Sequence, residues 1–183
     1  NEEFNKLTFN WSDVNALFTI KYLLFSFLKL YINFSAFTDI AIGIGRMFHI
    51  ELSENFKFPL LSSSIANFWQ RWHLSLSNFI NQNIFIPLYR KTGNLYISIY
   101  STFIFAGLWH TVSIGYFLWG FLHGSALIIY YKFIKNNQSI PNSKIINVLG
   151  IFVTLFFVSF VSTIANLGDI NTIVLFLKSF SRI

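Results

Sequence analysis

The chain alternates long apolar runs with short polar joints. Residues 16–37 are apolar apart from a few polar positions and two charges, Lys21 and Lys29. About 20 such residues cross a bilayer as a helix, so this run predicts a transmembrane helix, with Ser12 or Asp13 as its cap. The two lysines are eight positions apart, share one side of the helix, and should face protein or snorkel. Further on come residues 95–110, about the minimum length for a crossing, then 115–131 and the long, almost uncharged 145–167. Residues 170–180 read as a partial span or an amphipathic segment.

The joints differ from one another. Residues 1–14, with Glu2, Glu3, Lys6 and Asp13, read as a polar loop. After the first run come Asp39, an acid at membrane depth, and Gly43 and Gly45, small enough for close helix packing. Residues 51–93 mix charges, serines, Pro59 and Pro87 with apolar pieces, 60–66 and 79–88, too short to span. Such pieces predict interfacial or re-entrant segments. At membrane depth that backbone persists only when buried in protein or lining a wet cavity.

Composition turns this pattern into a compartment. Apolar residues make up 54% of the chain and charged ones 11%, against about 25% charged in soluble domains. The 24 phenylalanines exceed what a core of this size can hide. The predicted fold is therefore an all-α integral membrane protein, a multi-helix bundle with re-entrant or interfacial helices around a central cavity. The net charge of +6 comes from Lys and Arg scattered in ones and twos, the distribution of topology signals rather than of a nucleic-acid stripe. With no cysteine there is no disulfide, thiolate nucleophile or cysteine metal site.

Arg90 and Lys91 precede one run, and Lys132, Lys135 and Lys144, in a loop with Pro141, follow the next. The positive-inside rule puts both loops in the cytoplasm. The chain then leaves after Lys91, turns at 111–114 and returns by Lys132, which sets His110 toward the outer end and Asp169 outside. The chain opens at Asn1 without a signal-peptide pattern, and reads as one membrane domain over residues 1–183, the C-terminal portion of a longer protein.

Two phrases carry candidate chemistry: NFWQRWHLSLS at 67–77 and GLWH at 107–110. Each sets a histidine directly after tryptophan in hydrocarbon surroundings, where an ionisable group is costly. Neutral imidazole exchanges protons near neutrality, so His110 is either a general base toward a hydroxyl or a buried polar residue bonded to backbone carbonyls. His73 has the same two readings. Ser75 and Ser77 beside it resemble no nucleophile elbow. Asp39 and Arg71 are candidate charge partners, and Arg90–Lys91 is a topology signal or a contact for an anionic donor. His123, four residues after Trp119, suits helix packing beside Gly120 and Gly124, and His49 suits a loop. The four histidines lack short ligand spacings, so no metal is predicted.

The phrases FTDIAIGIGRMF (37–48), ENFKFPLL (54–61), NFWQRWHLSLSNFI (67–80), IFIPL (84–88), AGLWH (106–110) and LWGFLHG (118–124) occur in one order over residues 31–131. In these the sequence resembles the membrane-bound O-acyltransferase family, in particular its alginate O-acetyltransferase branch. It departs from that branch in Thr111-Val112-Ser113-Ile114 after His110, in Tyr89-Arg90 after IPL, and in lacking a Trp-Phe-Phe-Arg phrase downstream. The resemblance implies a multi-helix fold around a tunnel, with the family's N-terminal helices absent from this chain. It implies that His110 is catalytic and that His73 is a second cavity histidine, orienting substrate or polarising a thioester carbonyl. Trp69, Arg71, Trp72, Ser75, Trp109 and Asp39 are then the expected substrate-binding residues.

The implied reaction moves an acyl group, expected to be acetyl, from a cytoplasmic thioester to a hydroxyl of an exported or cell-envelope polysaccharide, directly or through a periplasmic or extracellular acetyltransferase. D-alanyl transfer to teichoic acid and peptidoglycan O-acetylation belong to the same class. The donor would be acetyl-CoA or an acyl carrier, with no permanently bound cofactor and no nucleic-acid partner. The location would be the bacterial inner membrane, crossed several times. The competing reading is a non-catalytic conduit or scaffold that recruits a secreted transferase.

Overall fold

The computed structural model describes residues 10–135 and 143–182. Residues 1–9 of the loop expected at 1–14, and Pro141, lie outside the described residues; residues 10–15 are non-helical, as expected. Among the described residues every regular element is helical. The first helix, α1, runs over Ala16–Met47. Its cap is Asn15, whose side chain accepts from Phe18 N–H, and not Ser12 or Asp13. Those two bond to each other a turn earlier, Ser12 Oγ donating to Asp13 Oδ1 at 2.8 Å.

Helix α1 does not stop at Phe37 but continues through Asp39 and both glycines. The helix packing expected at Gly43 and Gly45 is not what they do. A Cβ on Gly43 would meet nothing within 4 Å, whereas one on Gly45 would sit 3.0 Å from the Ile50 carbonyl oxygen. Gly45 therefore makes room for the chain to fold back across the helix end. Ile50 N–H donates to the Gly45 carbonyl, and His49 takes up the left-handed φ of 58° at that reversal.

The 51–93 stretch is a chain of short pieces, as its interrupted pattern predicts. A 3₁₀ turn at Pro59–Leu61 is followed by α2 (Ile65–Trp69), α3 (Leu74–Ile80), a π turn at Asn81–Phe85 and α4 (Ile86–Thr92). The π turn has a cause in Pro87. Proline lacks the N–H that would bond the carbonyl four residues back, and its ring crowds that carbonyl. The turn widens, and Ile86 N–H bonds the Asn81 carbonyl instead.

Helix α5 (Leu95–His110) starts at Asn94, whose Oδ1 accepts from Tyr96 and Ile97 N–H. Helix α6 (Ile114–Ile129) is capped by Ser113 and lengthened by a π turn over Tyr130–Ile134. Helix α7 (Lys144–Leu167) and helix α8 (Ile170–Ser179) are capped by Ser143 and Asp169. Residues 16–47, 114–134 and 144–167 are each long and apolar enough to cross a membrane. With 16 residues, α5 is about 24 Å long, a short crossing. Helix α8, at 10 residues, is too short to be one. Phe25, Phe152 and Val153 are 66–69% exposed, an outward hydrocarbon surface that suits lipid.

Helices α5 and α6 form a tight antiparallel hairpin because small residues let the backbones meet. A Cβ on Gly107 would collide with the Tyr116 carbonyl, and one on Gly120 with the Phe103 carbonyl. Helix α1 runs antiparallel to α7: Leu23 shares a core with Ile164, and Phe27 shares another with Val158. At the far end of α1, Thr19 and Ser179 Oγ are 2.8 Å apart, which ties α8 to it. This arrangement gathers Arg46, Arg90, Lys91, Lys132, Lys135 and Lys144 toward one end of the bundle, and the 111–113 turn and Gly168 toward the other.

The glycines give a contrast to measure. Gly120→Ala should destabilise the detergent-solubilised protein by about 1–3 kcal/mol through overpacking against rigid backbone. Gly43→Ala should be neutral or stabilising, since alanine favours a helix by about 1 kcal/mol and meets no neighbour. Thermal unfolding of the two variants checks this, and equal melting temperatures would contradict the packing described.

Candidate functional site

A cavity of about 180 Å³ lies where α1, α5, α6 and α7 meet the α2–α3 joint. Its wall holds three histidines, His73, His110 and His123, among aromatic rings including Trp69, Trp72, Tyr116 and Trp119. Each histidine comes from a different element. His110 is the last residue of α5, His123 lies inside α6, and His73 stands at the break between α2 and α3.

That break positions His73. The α2 helix ends after Trp69, and Trp72 stacks on Phe27 and Phe68 at centroid separations of 5.4 Å. His73 then adopts a left-handed backbone, φ 46° and ψ 57°, before α3 begins. For a residue with a Cβ this costs of the order of 1–3 kcal/mol, which surrounding contacts must offset. Phe34 meets the imidazole edge-on at 4.7 Å. Asn55 holds the other side: its carbonyl accepts from Leu74 N–H and its Oδ1 from Ser75 N–H. Burial, with a smaller contribution from nearby His110, pushes His73 down to about 4. His73 is therefore neutral at neutral pH and close enough to His110 for a charge on one to disfavour a charge on the other.

His123 is 1% exposed. Its Nδ1 accepts from Trp69 Nε1–H at 3.3 Å, which joins the α2 end to the α5–α6 hairpin. Trp119 lies between histidines, its ring 4.6 Å from that of His123 and 6.1 Å from that of His110. His123 follows the start of α6 by nine positions, about 14 Å along the axis. His110, beside Tyr116 and Asn166, occupies the end near the 111–113 turn and is open on one side.

Of the residues expected at the site, His73, His110, Trp69 and Trp72 line the cavity together. Ser75 is exposed and reaches it only through His73, with Ser75 Oγ 3.4 Å from His73 Nδ1. Arg71 turns away, its Nη1 donating to the Phe58 carbonyl at 3.5 Å. Trp109 is 60% exposed, because consecutive residues of a helix face different sides and His110 takes the inward one. Asp39 is exposed on α1, and among the described residues no ion pair joins it to Arg71.

Sequence reasoning assigned His123 to packing and passed over Tyr116, Ser162 and Asn166. The spacing of Trp119 and His123 places them on one helical face but does not say what they face. The Trp69 contact spans 54 positions and has no local signal. Among the described residues no three His, Asp or Glu side chains group to hold a metal ion.

An all-helical bundle with membrane-length helices around a histidine-lined cavity defines an integral membrane protein with an internal site. The profile of the membrane-bound O-acyltransferase family matches residues 7–167, and the chain belongs to that family. It is 41% identical over 104 residues to the probable alginate O-acetylase AlgI of Pseudomonas putida, covering 55% of this chain and 21% of that protein. It is 39% identical over 108 residues to the peptidoglycan O-acetyltransferase of Helicobacter pylori, covering 56% and 20%. Against the teichoic acid D-alanyltransferase of Bacillus subtilis the identity is 28% over 144 residues, covering 72% and 36%. The matched region thus spans about a fifth of the length of the first two relatives.

The low proton affinity of His73 has a consequence for stability. An unfolded imidazole takes up its proton near 6.5, the folded one only near 4. The unfolded state binds more protons between those values, so stability should fall as pH drops through that window. Melting curves at pH 7 and pH 4.5 should show a smaller loss for His73→Gln than for the wild type; an equal loss would rule out His73 as a source.

Proposed function

We propose that this chain carries the acyl-transfer site of a membrane O-acyltransferase, with His110 as its general base and His73 as its supporting histidine. The observation that carries this reading is that the two histidines line one cavity in a member of this family. Neutral imidazole at His110 takes the proton from an acceptor hydroxyl. The oxygen attacks the thioester carbonyl carbon, the carbon–sulfur bond breaks, and the departing thiolate takes the proton back. An ester and a free thiol result, with atoms and charge in balance. General base catalysis of this kind contributes about 10²–10⁴-fold.

The donor is proposed to be a cytoplasmic thioester, acetyl-CoA or an acyl carrier, arriving at the basic end of the bundle. The acceptor is a hydroxyl of an exported or cell-envelope polysaccharide, reached directly or through a secreted transferase. Relatives named for alginate, peptidoglycan and teichoic acid support that acceptor class. The bundle sits as one multi-pass domain in a bacterial inner membrane, with His110 toward the outer side, as the separation of the basic ends from the 111–113 turn supports. Trp69 and Trp72 wall the reaction path, and Ser75 acts through His73.

The test is His110→Ala in the full-length protein, with membrane insertion measured in parallel. Acylation of the cell-envelope polymer should fall by about 10²-fold or more at unchanged protein level. Undiminished acylation would refute the base assignment and favour the scaffold reading, in which the protein recruits a transferase and needs neither histidine.

A further inference from the structure

We propose that Asn55 is a positioning residue that fixes the tautomer of His73, with the proton on Nδ1 and the lone pair on Nε2. Four hydrogen-bonding contacts carry this. Ser75 N–H, a backbone donor, lies 3.1 Å from Asn55 Oδ1. A backbone N–H bonds only an acceptor, so the atom it meets is the amide oxygen and the orientation of the Asn55 side chain is settled. Ser75 Oγ is 2.6 Å from the same oxygen, and its one proton is committed there. His73 Nδ1 lies 3.4 Å from Asn55 Oδ1 and 3.4 Å from Ser75 Oγ. Neither neighbour has a proton left to give Nδ1, and Ser75 Oγ still has a lone pair to offer it, so a neutral imidazole meets this pair of oxygens with its N–H. Nε2 is then the unprotonated nitrogen.

The local fold explains why this duty falls to Asn55. His73 occupies the N-cap position of α3 but makes no capping bond with its own side chain. The first donors of a helix need partners, and Asn55 supplies them from 20 positions upstream: its carbonyl takes Leu74 N–H at 3.0 Å and its Oδ1 takes Ser75 N–H. The same residue thus caps α3, holds the left-handed turn at His73 and orients the imidazole. This deepens the proposed function and rests on it for its consequence. Of two roles open to His73, accepting a hydrogen bond from a hydroxyl or donating one to a thioester carbonyl, the neutral Nδ1–H form allows only the first at Nε2. His123 is set the opposite way, since Trp69 N–H occupies its Nδ1 and leaves the proton on Nε2.

Nitrogen-15 NMR of the full-length protein, histidine-labelled in detergent at neutral pH and assigned by His→Gln variants, tests this directly. His73 should show a protonated Nδ1 and an unprotonated Nε2, and Asn55→Ala should abolish that pattern. Asn55→Asp keeps the acceptor oxygen and should retain it, which separates tautomer control from a collapse of α3. A protonated Nε2 at His73 in the wild type, or a spectrum unchanged by Asn55→Ala, overturns the proposal. If the spectra are as stated and His73→Gln still transfers acyl groups at the wild-type rate, the positioning by Asn55 stands and the role given to His73 in transfer falls.

Discussion

The hydrogen bond from Trp69 to His123 is the contact on which the cavity depends. It joins the end of a five-residue helix to the interior of a long one. A helix as short as α2 has no stability of its own, so its place is set by what Trp69, Phe68 and Trp72 touch. Trp69 packs edge-on against Phe103 and Trp119 while its N–H reaches His123. Removal of that acceptor would leave an indole N–H without its partner in a largely apolar wall, at a cost of about 1–3 kcal/mol. With Trp69 held, Trp72 stacks on Phe27 and Phe68, and His73 is carried to the cavity wall that His110 also lines.

Aromatic rings do here what charge pairs do elsewhere. Among the described residues no carboxylate lines the site, and its polar groups are imidazoles, indole N–H groups, a tyrosine, a serine and an asparagine. In a low-dielectric interior such groups stay neutral without partners of opposite charge. This suits the proposed transfer, in which a proton passes between hydroxyl, imidazole and thiol. The cost is borne by backbone geometry at His73, whose left-handed conformation is offset by Asn55 and the surrounding rings.

The fold was readable where the physics is local. Run lengths located α1, α5, α6 and α7, and the prolines and charges of 51–93 predicted its broken pieces. The cap at Asn15 was missed because Ser12 and Asp13 are equally good capping types and only tertiary placement chooses among them. Gly45 was misread because a glycine that admits a returning chain and one that admits a helix leave the same trace in sequence. At the site, His73 and His110 stood out as ionisable residues in hydrocarbon. His123 did not, because its significance lies in a contact with a residue in another element. Trp109 was grouped with the site through its place beside His110 and Asp39 as an acid in an apolar run within the family-like phrases; both are exposed and neither lines the cavity.

The central claim, that α3 and the inward face of α5 enclose one cavity, can be measured with paired cysteines, since these 183 residues contain none of their own. The full-length protein, freed of other cysteines, would carry Leu76→Cys paired with Ala106→Cys, both cavity-lining positions. In native membranes a short bifunctional thiol reagent should crosslink that pair, while Leu76→Cys paired with Trp109→Cys, on the outward face, should react singly and remain uncrosslinked. Equal crosslinking of both pairs, or crosslinking of the 76–109 pair alone, would contradict the account.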